Sequence, residues 1–214
     1  MTTVTLKTEK TPIEIDWNKT ALVVVDIQND FCSGGALAVP DGDAVLPEVN
    51  KFVKDARDNK ANIIYTADMH PPFSEHFKKW PVHCLWGSVG AMFHPELDMS
   101  DGYDKAYNLT KGNSIYDDGY SAFDGILHVI DEEGEVEWTF ASFLRNRGIE
   151  NLVIVGLATD YCVKLTALDG ITWGQEVIVH LPACRAVDKK TEQEALEEME
   201  RFGVAITTDN PEPA

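Results

Sequence analysis

Apolar residues fall along this chain in short blocks of two kinds. Residues 21–26, 62–66, 151–156, 176–180 and 204–207 are rich in β-branched side chains and apolar nearly throughout. A strand apolar on both sides is covered on both faces, as in a parallel sheet; strict alternation would mark a sheet with one face in water. Between the first two blocks, Val45, Val49, Phe52, Val53 and Ala56 are spaced i, i+4, i+7, i+8, i+11, the stripe of an amphipathic helix. Phe140, Phe143 and Leu144 precede the block at 151 in the same manner, and Ala195, Leu196 and Met199 precede the last block. This succession predicts a single α/β domain on a mostly parallel, doubly wound, Rossmann-like sheet with helices on both faces. Residues 1–19 read as an N-terminal segment and residues 20–214 as the domain. A further strand is expected to end near Lys111, in Ala106–Lys111, and residues 125–136 read as a small hairpin turning near Glu133 and Gly134. Residues 70–104, rich in Pro, His, Trp and Gly, match no regular element. Loops of that length in a compact domain tend to carry function.

Composition narrows the classes of function. The 214 residues suffice for one substantial core, and 44% of them are hydrophobic, as in soluble globular proteins. A net charge of -18, from 18 basic and 36 acidic residues, repels phosphate backbones and anionic lipid, which argues against nucleic-acid and membrane partners. The first ten residues lack an apolar core of signal-peptide length. No apolar run approaches the roughly 20 residues that span a bilayer. Cys32, Cys84, Cys162 and Cys184 are scattered, with no Cys-x-x-Cys pair, and read as reduced thiols of a cytoplasmic protein.

In an open α/β sheet the ligand sits beyond the carboxyl ends of the strands. Asp26 ends the first strand, Asp68 and His70 follow the second, Lys111 ends the third and Cys162 follows the fourth. Residues far apart in sequence thus converge on one edge. Cys162 lies where a strand turns into a helix, with Thr159 or Asp160 placed to cap it. Helix N–H groups there favour a thiolate and could hold an oxyanion. A small buried cysteine is an equally ordinary reading. Asp26, a carboxylate closing an apolar strand, needs a partner or a chemical task. An ammonium from Lys111 near both would stabilise Asp26 as carboxylate and Cys162 as thiolate; a solvated lysine is the bland account.

Asp68 and His70, two apart in extended chain, face the same way and could grip one ion. His83 is the expected third ligand, with His76 and His94 as competitors. Three N/O ligands leave a divalent metal open to water or substrate. Cys84, beside His83, reads as structural.

Taken together, these residues resemble the nicotinamidase branch of the isochorismatase-like cysteine hydrolases, from about Thr20 to Thr208. The markers are Val-Asp26-Ile-Gln-Asn-Asp-Phe31, Asp68-Met-His70-Pro, Trp80-Pro-Val-His83-Cys, Lys111-Gly, Tyr120-Ser-Ala-Phe123 and Gly156-Leu-Ala-Thr-Asp-Tyr-Cys162-Val. The resemblance implies catalytic Asp26, Lys111 and Cys162, and a metal, most often zinc, on Asp68, His70 and His83. It further implies an aromatic slot of Phe31, Trp80 and Tyr120, and a cis peptide at Leu157–Ala158 that aims the Ala158 and Cys162 N–H groups at an oxyanion. Where the family often reads Pro-x-x-His-x-Ser-Phe, this chain has Pro71-Pro-Phe-Ser74-Glu-His76-Phe, which leaves an extra ligand from Ser74 or Glu75 open.

The implied activity is hydrolysis of nicotinamide, with pyrazinamide as a further small-molecule substrate, in NAD salvage. Another cysteine amidase or ureido hydrolase of the superfamily is the alternative. A nucleotide-binding module is disfavoured, because the first strand lacks a Gly-x-Gly-x-x-Gly turn. Oligomeric state, including a homo-oligomer, is open at this level.

Overall fold

The computed structural model describes residues 4–7, 12–131 and 134–208. Its centre is an eight-stranded sheet in the order β10-β9-β8-β3-β4-β5-β6-β7, numbered along the chain. The parallel strands are β3 (Thr20–Val25), β4 (Asn62–Asp68), β5 (Ala106–Lys111), β8 (Asn151–Leu157), β9 (Glu176–Arg185) and β10 (Ala205–Thr207). An antiparallel hairpin, β6 (Ile126–Asp131) and β7 (Gly134–Thr139), extends one edge. Its second strand outruns the expected hairpin at 125–136, because Val136 and Trp138 alternate with Glu residues and continue the ladder to Thr139. The expected turn at Glu133 lies outside the described residues. Among the described residues, no helix is long and apolar enough to cross a membrane.

Every side chain of β3 is buried, yet the strand still obeys the two-residue period of the pleat. Leu22 and Val24 join the layer under α1 (Leu46–Asp58), packing with Val49, Phe52 and Val53. Ala21, Val23 and Val25 face the opposite layer. There α2 (Phe140–Arg147) contributes Phe140, Phe143 and Leu144, α3 (Lys164–Thr172) contributes Ala167, and α4 (Lys189–Arg201) contributes Met199. The apolar blocks therefore needed cover on both sides, and the helices supply it.

Two features were not anticipated. A separate antiparallel pair, β1 (Val4–Lys7) and β2 (Pro12–Ile15), leads into Ile15 and Trp17, which join the α1-side core. Strand β9 also continues past Pro182, where the ladder is interrupted by an irregularity opposite residues 154–156. Gly156 sits there at φ 118°, and a Cβ on it would lie 2.1 Å from the Val25 carbonyl oxygen. Proline reads as a strand end, but a bulge tolerates it.

His180 ties three elements together. Its Nδ1 pairs with Thr207 Oγ1 of β10 at 2.8 Å, and its ring lies 4.5 Å from that of Phe52 on α1. Burial, aided by the Lys51 charge, pushes its pKa down to about 4. The unfolded chain titrates this residue near 6.5. Between those values the unfolded state binds more protons, so stability falls as pH falls through the window. Urea unfolding of wild type and His180→Gln at pH 6.5 and pH 4 should show a smaller pH-dependent loss in the variant. The difference should be at most about 3 kcal/mol. Equal losses would mean that His180 is not held neutral by its burial.

Candidate active site

The parallel strands deliver their last residues to one edge. Asp26 follows β3, Asp68 closes β4, Lys111 closes β5, and Cys162 lies in a single π turn, Thr159–Val163, between β8 and α3. Strands β3 and β8 are neighbours whose connections leave in opposite directions, so Asp26 and Cys162 flank the point where the strand order reverses.

Lys111 is fully buried and centres the group. Its Nζ lies 2.7 Å from Asp26 Oδ2, 3.8 Å from Asp68 Oδ1 and 3.5 Å from Cys162 Sγ, and it donates to the Gly119 carbonyl at 2.5 Å. Thr66 Oγ1 donates to Asp26 Oδ1 at 2.6 Å. Asp26 itself is left-handed, at φ 50°, a conformation that costs a non-glycine residue about 1 kcal/mol or more and concentrates at functional sites.

Burial sets the resting charges. It raises the Asp26 carboxyl above its ordinary value, with Lys111 opposing and Asp68 adding to the rise. It also drives the Cys162 thiol well above the usual range; Lys111 again opposes, while Asp26 and Asp68 repel the thiolate. Lys111 is held charged despite its burial by Asp26 and Asp68. The expectation that Lys111 and a helix end favour the thiolate thus meets a larger desolvation effect. At rest Cys162 is a buried thiol beside the Lys111 ammonium, which also holds Asp26.

The capping expectation also fails. The residue before the π turn is Ala158, joined to Leu157 by a cis peptide, and no side chain caps it. The Tyr161 and Val163 N–H groups both donate to the Ala158 carbonyl. Thr159 is buried with its hydroxyl unpartnered, and the Asp160 carboxylate turns toward residues 187–191.

Beside the thiol, Asp68, His70, His76 and His83 bring one ligand atom each to within 4.8 Å of one another, all buried. The donor chemistry suits a divalent ion. His76 Nδ1 is engaged by Asp118 at 2.9 Å and His83 Nδ1 by the Pro81 carbonyl at 2.7 Å, which leaves Nε2 as the coordinating atom of each ring, that of His83 lying 3.4 Å from Asp68 Oδ2. Burial holds His76 below the usual histidine range, in the neutral form a metal needs. Asp68 Oδ1 and His70 Nδ1 are buried without hydrogen-bond partners. Such orphaned groups are costly unless something satisfies them. Gly112 leaves the room: a Cβ there would lie 2.8 Å from both Asp68 Oδ1 and the His70 ring.

Sequence reasoning weighed His76 against His83 for one place, whereas the fold brings both in. His94 stays outside, accepting from the Glu96 N–H. Ser74 caps the short 3-10 helix Glu75–Lys78, and Glu75 pairs with Lys78, so neither joins the group. Sequence reasoning also missed Gln28. It is fully buried, donates to the Asp68 and Ala91 carbonyls, and accepts from the Asp68 N–H at 2.8 Å. A polar residue two places beyond Asp26, just past an apolar strand, was the available signal.

A narrow cleft opens onto Cys162 and Asp68. Phe31, Trp80, Tyr120 and Tyr161 form its aromatic side, with Trp80 Nε1 donating to Tyr120 Oη at 2.9 Å. Leu37, Val39, Leu157, Ala158 and Val187 add aliphatic lining beside Cys162. The three aromatic residues expected around a ring are therefore all present, and Tyr161 is an addition.

Comparison with known proteins places this geometry. The isochorismatase domain model matches residues 20–210. The nicotinamidase/pyrazinamidase of Mycobacterium tuberculosis is 36% identical over 193 residues, covering 87% of this chain and 97% of that protein. A pyrazinamidase of Pyrococcus horikoshii, solved in complex with zinc, is 35% identical with a TM-score of 0.76, covering 89% of this chain and 99% of the other. PnC1 of L. infantum, solved in complex with nicotinate, is 28% identical with a TM-score of 0.77, covering 91% and 94%. With the likeness running through both the sheet and the loops above it, this chain belongs to the isochorismatase domain family.

Proposed function

We propose that this chain is an amidohydrolase that converts nicotinamide to nicotinate and ammonia, in NAD salvage, through a thioester on Cys162. The observation that carries this reading is the buried cluster that Cys162 joins at the cleft. A thiol, a carboxylate and an ammonium meet there, beside four groups suited to a metal. Relatives whose function is nicotinamide hydrolysis support it, as does the nicotinate bound by the L. infantum protein.

Asp26 takes the Cys162 proton as Sγ attacks the amide carbon, and Lys111 keeps negative charge tolerable in a buried place. Attack turns the carbonyl oxygen into an oxyanion, which the Ala158 and Cys162 N–H groups are assigned to hold. Asp26 then passes its proton to the departing nitrogen, the C–N bond breaks, and ammonia leaves a thioester. Water attacks that thioester while Asp26 takes one of its protons. The C–S bond breaks, nicotinate forms, and the thiol is restored from Asp26. Phe31, Trp80 and Tyr120 clamp the flat ring so that its amide lies over the thiol. A divalent ion, zinc in our assignment, would be held by Asp68, His70, His76 and His83 and would supply a Lewis-acidic anchor for the ring nitrogen.

Cys162→Ala should abolish ammonia release while leaving the unfolding midpoint close to that of wild type. Intact-mass analysis of wild type quenched during turnover should find an added mass of nicotinoyl size on the Cys162 peptide. Substantial turnover by the alanine variant would exclude the thioester route.

His83→Ala separates this reading from a metal-free amidase of the same fold. Removing one imidazole should lower metal affinity by roughly tenfold or more. Turnover of nicotinamide and pyrazinamide should fall with the metal content. Benzamide, which lacks a ring nitrogen, should be a poor substrate for both proteins. Equal metal content in both would remove His83 from the ligand set.

A further inference from the structure

Asp160 is a buried carboxylate next but one to the nucleophile, and the proposed chemistry gives it no task. It does not cap its own turn. Its Oδ1 accepts from the Val187 N–H at 3.0 Å, and its Oδ2 accepts from the Asp188 N–H at 3.3 Å and from Thr191 Oγ1 at 2.5 Å. All three donors belong to the segment that leaves β9 and enters α4. Asp188 is the N-cap of α4, its own side chain accepting from the Lys190 N–H at 2.8 Å. Asp160 therefore sits at the positive end of that helix, where a carboxylate is favoured. Lys164 and Glu198, 3.2 Å apart, add a second link between the two segments.

The significance lies in what flanks the tether. On one side, Tyr161 and Cys162 line the cleft; on the other, Val187 lines it. Val187 is carried on a loop between β9 and α4, without ladder bonds of its own strand, and its backbone N–H is spent on Asp160.

We infer that Asp160 is a positioning residue, a strut that fixes the nucleophile turn and the Val187 wall of the cleft at one spacing. Charge-assisted bonds to two backbone N–H groups hold better than packing alone, because they are directional. The strut sets how thick a planar group can enter beside Cys162. The inference rests on this cleft being the substrate site, as proposed above.

The test compares the rates at which N-ethylmaleimide and iodoacetamide alkylate Cys162, followed on the Cys162 peptide by mass spectrometry. Taking the ratio of the bulky to the slim reagent cancels changes in thiol ionisation. Asp160→Asn keeps one acceptor but places an amide N–H group against the remaining donors. The ratio should rise about tenfold, the worth of about one net hydrogen bond to a charged group. Val187→Ala should raise the ratio similarly, and Asp160→Asn/Val187→Ala should add little to either, since both relax the same wall. With nicotinamide, KM should rise about as much as the ratio while kcat falls less. Thr191→Val, which removes one donor of three, should shift both readouts in the same direction by a smaller factor, and it decides the matter if Asp160→Asn does not fold. A lowered melting temperature with unchanged ratio and unchanged KM would overturn the strut, as would full additivity in the double variant. Absence of ammonia release by wild type would refute the proposed function while leaving the alkylation ratio to decide this inference.

Discussion

The site depends on one buried cation. Lys111 Nζ, with no exposure to solvent, holds Asp26 at 2.7 Å, the Gly119 carbonyl at 2.5 Å and Cys162 Sγ at 3.5 Å, with Asp68 at 3.8 Å. Two carboxylates and a thiol could not otherwise share this volume, since an uncompensated buried charge costs several kcal/mol. Lys111 ends β5, Asp68 ends β4 and Asp26 follows β3, three adjacent parallel strands in register. Aligned carboxyl ends are what a parallel sheet provides, so the electrostatic cluster is a direct consequence of topology. Burial outweighs the Lys111 cation at both groups, raising the Asp26 carboxyl as well as the Cys162 thiol. We assign to Asp26 the receipt of the thiol proton at the moment of attack.

Much of the architecture was legible because its signals are local. Unbroken apolar blocks at β3, β4 and β8 required cover on both faces, and the α1 stripe from Val49 to Ala56 supplied one cover at helical spacing. What escaped was set by tertiary context. Nothing local says that β9 survives Pro182, since the irregularity that accommodates it depends on Gly156 in a neighbouring strand. The β1–β2 pair is short, and its tie to the core runs through Ile15 and Trp17 rather than through its own pattern.

The same division holds at the cleft. Strand ends announced Asp26, Asp68, Lys111 and Cys162, because a polar residue terminating an apolar run needs a reason. His76 could not be ranked from sequence, since its approach to Asp68 depends on the Ser74 cap and the Asp118 contact. Asp160 looked like a cap by spacing alone, but three donors near the start of α4 compete for its oxygens and win. Long-range partners of this kind, 27 to 31 residues away, have no local signature.

The central claim is that the Cys162 cluster and the four-ligand group serve one reaction on one small amide. Ammonia release from nicotinamide tests it most directly, measured on the wild-type chain loaded with zinc, after stripping by a chelator, and after zinc is returned. The account predicts steady release matched by nicotinate formation, loss of that release on stripping, and its recovery on reloading. Undiminished release from the metal-free protein, or none from the zinc-loaded one, would contradict it.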